Sequence, residues 1–192
     1  MNRGYTFIEM IFVLALATII AGGAIPAFAG AVERSRASAA ATYVANRLML
    51  ARLEAVKRSA FVGVQFVQQA DGYWIRSYVD GNANGVLVRD IGNGSDVPLG
   101  AATKLEHQFP GVRFGVCSGV TAISTGDAFD PSDPIQIGQS TVMSFNPNGS
   151  STAGTLYICG ERAYQFAVRV LGSTGRCRVL RFDFQDGKWH TS

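Results

Sequence analysis

The sequence predicts an α+β protein in which one long N-terminal helix packs on an antiparallel β-sheet head. A helical pattern runs without Gly or Pro from Ala31 to Ala60, directly after an uncharged segment. From Phe61 onward, apolar residues alternate with small or polar ones, which is the period of a strand. The 192 residues and 16% charged content exclude a wholly disordered chain and a large multidomain enzyme, and a net charge of +3 does not indicate a nucleic-acid binder as a whole.

The N-terminal segment carries most of the apolar excess. No Asp, Glu, Lys or Arg occurs from Met10 to Val32, a length that could cross a hydrocarbon core of about 30 Å. A short leader with one basic residue precedes it, and the acid Glu9 stands at its edge. Two alternatives could explain this uncharged segment. One is a secretory signal peptide with an A-x-A cleavage site at 27–29, and the other is a plain membrane anchor. Neither gives Glu9 a role.

The segment Gly4-Tyr5-Thr6-Phe7-Ile8-Glu9 closely resembles the prepilin signature of type IV pilins and type II secretion pseudopilins. The resemblance implies that a prepilin peptidase cuts between Gly4 and Tyr5 and methylates the new N-terminus at Tyr5. Residues 1–4 are then a leader peptide, and residues 5–32 form a transmembrane and assembly helix. The family more often has Phe where this chain has Tyr5, and Pro26 falls where pilins usually have a helix-kinking proline.

Glu9 then has a physical role. A lone carboxylate in lipid is costly, whereas one paired with an ammonium group is much less so. In the family's filament model that ammonium is the N-terminus of the neighbouring subunit, so Glu9 sets the axial register of assembly. The alternative is that Glu9 only reaches out to the lipid headgroups.

The helix continues beyond the uncharged run, with charged residues from Glu33 marking the membrane edge. We predict one helix from about Thr6 to about Ser59, kinked at Gly22–Gly23 and Pro26, with residues 33–60 as an amphipathic continuation. A stripe of Tyr43 and Leu50 is expected to pack in the core. The related apolar positions of this half recur at helical spacing: Val44, Leu48 and Ala51, and beside them Leu50, Leu53 and Val56.

Residues 61–192 are predicted to form the head, an antiparallel meander built on the helix. Turn clusters at 69–72, 146–149 and 172–175 separate the strand candidates. The stretch from 119 to 138, with two prolines, is expected to be a long exposed loop. The predicted strands are 61–68, 72–79, 86–91, 112–117, 141–147, 155–160, 164–171 and 176–184.

Several head segments, in their order along the chain, are similar to the GspH/FimT pseudopilin family. They are ARLEAVKRSAFVGVQF, YVDGNANG, MSFNPNGSSTAGTLYIC and GRCRVLRF. The resemblance implies a type IV pilin fold and a minor subunit at the tip of a type II secretion pseudopilus or type IV pilus, helping to start filament assembly and secretion. It also implies a single-pass protein of the bacterial inner membrane with its head in the periplasm, and major and minor pilins or pseudopilins as partners.

The loop Asp80-Gly81-Asn82-Ala83-Asn84-Gly85 has the start of a calcium-loop pattern, with oxygen ligands at alternate positions and a Gly for the turn. The twelfth position is Ile91 rather than Glu, so the pattern fails there. We favour a Gly/Asn turn between strands, with calcium binding by Asp80, Asn82 and Asn84 as the alternative.

Arginines cluster near the C-terminus. Arg176 and Arg178 are two residues apart and therefore share a face of a strand, and Arg181 lies nearby. The stretch from Gly175 resembles a Gly-Arg-x-Arg element of some FimT-type minor pilins that is linked to DNA capture. The alternatives are that these arginines protect a sheet edge or pair with local acids.

The remaining chemistry-bearing residues predict no catalytic or metal site and no cofactor. Cys117, Cys159 and Cys177 allow three single disulfides, and the residues do not choose among them. His107 and His190 are expected to be isolated surface residues. The chain lacks a nucleophile elbow, a Walker loop and a zinc-binding His pair, so we expect no enzyme. A soluble periplasmic binding protein released by signal peptidase remains as a third functional class.

Overall fold

A computed structural model describes residues 4–124, 129–138 and 140–192, without the side chains of residues 23–27. Helix α1 (Phe7–Arg58) is 52 residues long, as the sequence predicts. The helix assignment is continuous through residues 23–27, but the predicted kink involves Gly23 and Pro26, which lie outside the residues described with side chains. The kink therefore stays a prediction.

Local chemistry sets both ends of α1. At the N-terminus, Thr6 caps the helix by accepting a hydrogen bond from the backbone N–H of Glu9. At the other end, Ser59 has a φ of 51°, and its N–H bonds back to the last turn. Lys57 and Arg58 place positive charge at the carbonyl end, where the helix dipole favours it.

The head contains two antiparallel sheets rather than the single meander that we predicted. The strands are β1 (Val62–Gln69), β2 (Gly72–Val79), β3 (Val97–Lys104), β4 (Val112–Phe114), β5 (Ile135–Gln136), β6 (Val142–Phe145), β7 (Gly154–Gly160), β8 (Gln165–Leu171), β9 (Arg176–Asp183) and β10 (Lys188–Thr191). The smaller sheet has the order β3-β2-β1-β6, and the larger one has β10-β9-β8-β7-β4 with β5 also paired to β7. In the smaller sheet, β1 pairs with its neighbour β2 on one side and with the distant β6 on the other.

The C-terminal half of α1 packs against both sheets through an alanine-rich face. Val44 and Leu48 are the larger side chains of this face, and both are 1% exposed. They meet Phe66 and Phe145 of the small sheet and Phe166 of the large one in a single core. The alanines let the helix backbone approach the sheets closely, which is how one helix can serve two sheets.

The predicted strand at 86–91 is wrong, because this segment forms a short helix, α2 (Val88–Asn93). Val86 packs down on β1 at Gly63, where a Cβ would lie 2.7 Å from the valine side chain. Leu87, the residue before α2, donates its backbone N–H to the Asp96 carboxylate. A six-residue apolar pattern does not distinguish these two structures.

The sequence patterns missed β3 and the short helix α3 (Leu105–Gln108) that follows it. Pro98 interrupts the strand pattern of β3, but this strand is at the edge of its sheet, where a proline is tolerated. The expected loop at 119–138 contains β5, and Ile135 and Ile137 in it are buried. Its residues 125–128 lie outside the description.

The predicted core stripe of Tyr43 and Leu50 is only half correct. Tyr43 is partly buried and packs against the core, whereas Leu50 is 62% exposed. Leu53 and Val56 are exposed as well, so this face of α1 points to solvent. Helical spacing identified the two apolar stripes, but the position of the sheets decides which of them is covered.

The N-terminal part of α1 extends away from the head. Every large apolar side chain from Tyr5 to Ile20 has at least half of its surface exposed. Within the described residues, no helix is both long and apolar enough to cross a membrane.

Candidate functional site: the helix N-terminus and the arginines of the head

Glu9 lies at the third position of α1, where it closes a capping box with Thr6. Its Oε2 accepts hydrogen bonds from the Thr6 backbone N–H at 2.7 Å and from the Thr6 hydroxyl at 2.8 Å. Thr6 and Glu9 thus hold each other at the start of the helix. Thr6 was not among the residues predicted from the sequence, although the T-x-x-E spacing was a visible signal for it.

The predicted cleavage position is accessible. Gly4 and Tyr5 precede the helix in non-helical backbone, and Tyr5 is 87% exposed. A Cβ built at Gly4 would meet nothing within 4 Å. Residues 1–3 of the predicted leader are outside the described part of the chain.

The structure divides the three predicted DNA-binding arginines between two faces of β9. Arg176 and Arg178 are exposed on the face that points away from α1. Arg181 is on the other face, opposite Phe166 in the strand register, and lines a cavity beside the helix. The alternation of a strand requires this split, since Arg181 is an odd number of residues from Arg178.

Arg169 joins the outer face. It lies directly opposite Arg178 in the β8–β9 register, and it donates a hydrogen bond to the Ser124 hydroxyl at 2.9 Å. Directly opposed like charges destabilise a strand pair, and the Arg169 side chain has a further interaction besides its contact with Ser124. Arg169, Arg176 and Arg178 together are called the outer arginine face below. From the sequence, Arg169 counted only as additional positive charge, because pairing register is not visible in a single sequence.

The loop at Asp80 is held by its own carboxylates. Asp80 is 9% exposed; its Oδ1 accepts the N–H groups of Asn82 and Ala83, and its Oδ2 accepts that of Gly85 at 2.7 Å. Asn84 donates to the carboxylate of Asp90, and this hydrogen bond lowers the pKa of Asp90. These oxygens already have partners within the loop, an arrangement typical of an Asx turn.

The cysteines form one disulfide, between Cys117 and Cys159, whose Cα atoms are 5.7 Å apart. The bond ties the segment after β4 to strand β7, at a small cluster that also contains Phe182. Cys177 is free, and burial raises the pKa of its thiol to about 11. The residues alone had left three pairings open.

His190 is not isolated, which corrects the sequence-based expectation. Its Nε2 lies 2.8 Å from Oδ2 of Asp186, and this contact lowers the pKa of Asp186. Asp183 brings a third ligand-type atom within 4.8 Å of the other two. His107 contacts the Trp74 ring edge to face.

Comparison with known proteins gives this architecture a family. The family model described as "Type II transport protein GspH" matches residues 40–175, which is more than half of the chain. The chain belongs to the GspH family. The sequence-based identification as a GspH-type minor pseudopilin is thus confirmed, as is the predicted type IV pilin fold of one N-terminal helix on antiparallel sheets.

A relative among curated proteins supports this GspH assignment. The chain is 40% identical over 84 residues to "Pilin-like protein PilA1" of Thermus thermophilus. The match covers 43% of the chain and 51% of that protein, so the chain spans about half the length of the relative. No solved structure matches.

Proposed function

We propose that this GspH protein is a minor pseudopilin that assembles with other major and minor pilins or pseudopilins at the tip of a type II secretion pseudopilus or type IV pilus. Residues 5–32 anchor it in the bacterial inner membrane, residues 33–60 carry the head, and residues 61–192 form that head in the periplasm. The prepilin peptidase removes residues 1–4 and methylates Tyr5. In this role the protein needs no catalytic residue and no cofactor.

The observation that supports this proposal is the position of Glu9. It is the only acid before the uncharged run, and it sits in the first turn of a helix whose large apolar side chains from Phe7 to Ile20 are exposed. A carboxylate held there by Thr6 presents a negative charge within a few residues of the amine that cleavage would create at Tyr5. Pairing between that amine and Glu9 of the next subunit would place successive subunits in a defined axial step.

Variants at Glu9 test the assembly role. We expect Glu9→Ala to remain membrane-inserted and cleaved but to be absent from sheared filaments, because the charge pair is lost. Thr6→Ala is the matched control, since it removes the cap and keeps the carboxylate. Normal incorporation of Glu9→Ala would refute the pairing role, whereas equal loss with Thr6→Ala would assign the effect to the cap.

Mass spectrometry of the mature N-terminus separates this function from a secreted binding protein. A chain that begins at a methylated Tyr5 supports the pseudopilin, and a chain that begins at Gly30 supports release by signal peptidase. The measurement does not depend on knowing the host filament.

DNA binding by the outer arginine face is a second candidate function. The exposure of Arg176 and Arg178 on one face of β9 supports it, because two neighbouring guanidinium groups can contact phosphates without reading base sequence. Arg176 lies on the same face of β9, two residues before Arg178. Arg181 is not part of this surface.

The test is salt-dependent binding of the whole protein to duplex DNA. We expect Arg176→Gln/Arg178→Gln to weaken binding and to reduce the slope of log affinity against log salt by about 2, one for each phosphate contact. Lys57→Gln/Arg89→Gln removes the same charge from side chains that are each 74% exposed, and serves as control. Equal weakening by both double variants would reject the site.

A further inference from the structure

Three arginines from distant parts of the sequence meet beside the end of the uncharged run. Arg34 is on α1 two residues after Val32, Arg162 is in the turn between β7 and β8, and Arg181 is near the end of β9. All three line the same two open cavities, of about 1330 and 560 Å³. The group of Arg34, Arg162 and Arg181 is called the basal arginine site below.

The head holds these arginines at a defined level along α1. The turn between β7 and β8 approaches the helix at Gly30, where a Cβ would lie 3.5 Å from the Tyr164 hydroxyl and 3.9 Å from Nη1 of Arg162. Glu33 fixes the turn by accepting the Arg162 backbone N–H and by pairing with the Arg162 Nε at 3.3 Å. Arg162 is therefore anchored within one helical turn of the boundary between uncharged and charged sequence.

Much of the donor capacity of these arginines remains open to solvent. Glu33 pairs with the Arg162 guanidinium through Nε, and the Arg162 side chain nevertheless remains 57% exposed. Arg181 is 33% exposed and reaches Asp183 only at 3.7 Å. Arg34 is exposed, and within the described residues it has neither an ion pair nor a hydrogen bond to a side chain. Several guanidinium N–H groups thus face the cavities without an acidic partner in the described part of the chain.

We propose that the basal arginine site binds the phosphate of an anionic phospholipid headgroup at the periplasmic surface of the membrane. The inference rests on the membrane anchoring proposed above, which places Val32 at the end of the hydrocarbon region. Guanidinium groups pair with phosphate oxygens in a bidentate manner, and basic residues next to an anchor are attracted to anionic lipids. The three arginines would bind the lipid phosphates, while the adjacent N-terminal part of α1 inserts among the acyl chains.

An aromatic side chain supports the same orientation. Phe184 follows β9, lines the smaller cavity, packs edge to face on Phe182 and is still 44% exposed. Aromatic residues are enriched at the level of the lipid headgroups, where an apolar ring is partly covered by acyl chains. The turn after β9 therefore offers an apolar contact beside the charged one.

Native mass spectrometry of the full chain tests the proposal. The protein is purified in mild detergent with an equal mixture of phosphatidylglycerol and phosphatidylcholine, and the retained lipids are counted. We expect the wild type to retain phosphatidylglycerol in preference to phosphatidylcholine. In Arg162→Gln/Arg181→Gln, the ratio of retained phosphatidylglycerol to phosphatidylcholine should fall about fivefold for each arginine removed. Lys57→Gln/Arg89→Gln removes equal charge elsewhere and should retain the preference.

Two further outcomes are decisive. Competition with excess inorganic phosphate distinguishes a lipid phosphate from a free phosphate ion. Retention of phosphatidylglycerol supports lipid binding. Complete displacement of phosphatidylglycerol overturns the inference, because the site then prefers the free ion. Equal lipid retention by the wild type and the Arg162/Arg181 variant also overturns the inference. If the protein is membrane-embedded but shows no preference, only this inference fails; if it is recovered without lipid from the soluble fraction, the proposed anchoring fails.

Discussion

Arg169 of β8 lies directly opposite Arg178 of β9, so two guanidinium groups share one cross-strand position on the outer face of the large sheet. Like charges at such a position oppose strand pairing. The head retains this arrangement while Arg176 adds a third positive charge on the same face. Substitution of Arg178 therefore tests both the strand pairing and the DNA binding proposed for the outer arginine face.

Replacing Arg178 by Glu should raise stability and lower DNA affinity at the same time. The change places a carboxylate directly opposite the Arg169 guanidinium, and we expect this cross-strand pair to add about 0.2–1 kcal/mol to the free energy of unfolding. Chemical denaturation and DNA titration measure the two effects. Arg178→Gln is the control, and a Glu variant that is less stable than the Gln variant would contradict the register argument.

The leucines Leu48 and Leu50 provide a matched comparison on one helix. Leu48 is 1% exposed in the core, and Leu50 is 62% exposed. Leu48→Ala should lower the free energy of unfolding by about 2–5 kcal/mol because it leaves a cavity, whereas Leu50→Ala should change it by about 0.5 kcal/mol or less. Denaturant titration of each variant measures this. Similar losses for both would mean that α1 packs in a different orientation.

The disulfide between Cys117 and Cys159 should be a major contribution to head stability. It closes a segment with a sequence separation of 42, and the loss of such a cross-link costs about 2–4 kcal/mol through the greater freedom of the unfolded chain. Cys117→Ala/Cys159→Ala should therefore unfold at a lower temperature than the wild type. Cys177→Ala is the control, and a free thiol count of three in the non-reduced protein would contradict the pairing.

The Cys177 thiol should resist alkylation in the folded protein. Burial raises its pKa from 9.0 to about 11, which reduces the thiolate fraction at pH 8 roughly a hundredfold. Reaction with iodoacetamide should accelerate as the pH rises toward 11, and it should become fast at pH 8 once the chain is unfolded. Peptide mass spectrometry measures the rate. Equal rates for folded and unfolded chains at pH 8 would contradict the burial of this thiol.

Asp80 should matter for the loop and not for calcium. Its carboxylate accepts three backbone N–H groups in partly buried hydrogen bonds, so Asp80→Ala is expected to cost about 1–3 kcal/mol because these donors lose a charged acceptor. Asn82→Ala, at an exposed position, should have a smaller effect. Thermal unfolding with and without calcium completes the test: stabilisation of the wild type by calcium, absent in Asp80→Ala, would show that the loop holds the ion.

Local patterns in the sequence determined the long helix, its ends at Thr6 and Ser59, most strands of the head, and the special position of Glu9. These features depend on residues close together in the chain, where periodicity and capping act directly. Segments with weak or interrupted patterns were assigned wrongly or missed, as at 86–91 and at the edge strand containing Pro98.

Only the tertiary structure decided which distant groups meet. It paired Cys117 with Cys159, exposed Leu50 while burying Leu48, and set Arg169 opposite Arg178. It also placed Arg181, which the sequence groups with Arg176 and Arg178, beside Arg34 and Arg162. Strand register and the packing of α1 on two sheets determine these contacts, and both result from burying one shared core rather than from any single segment.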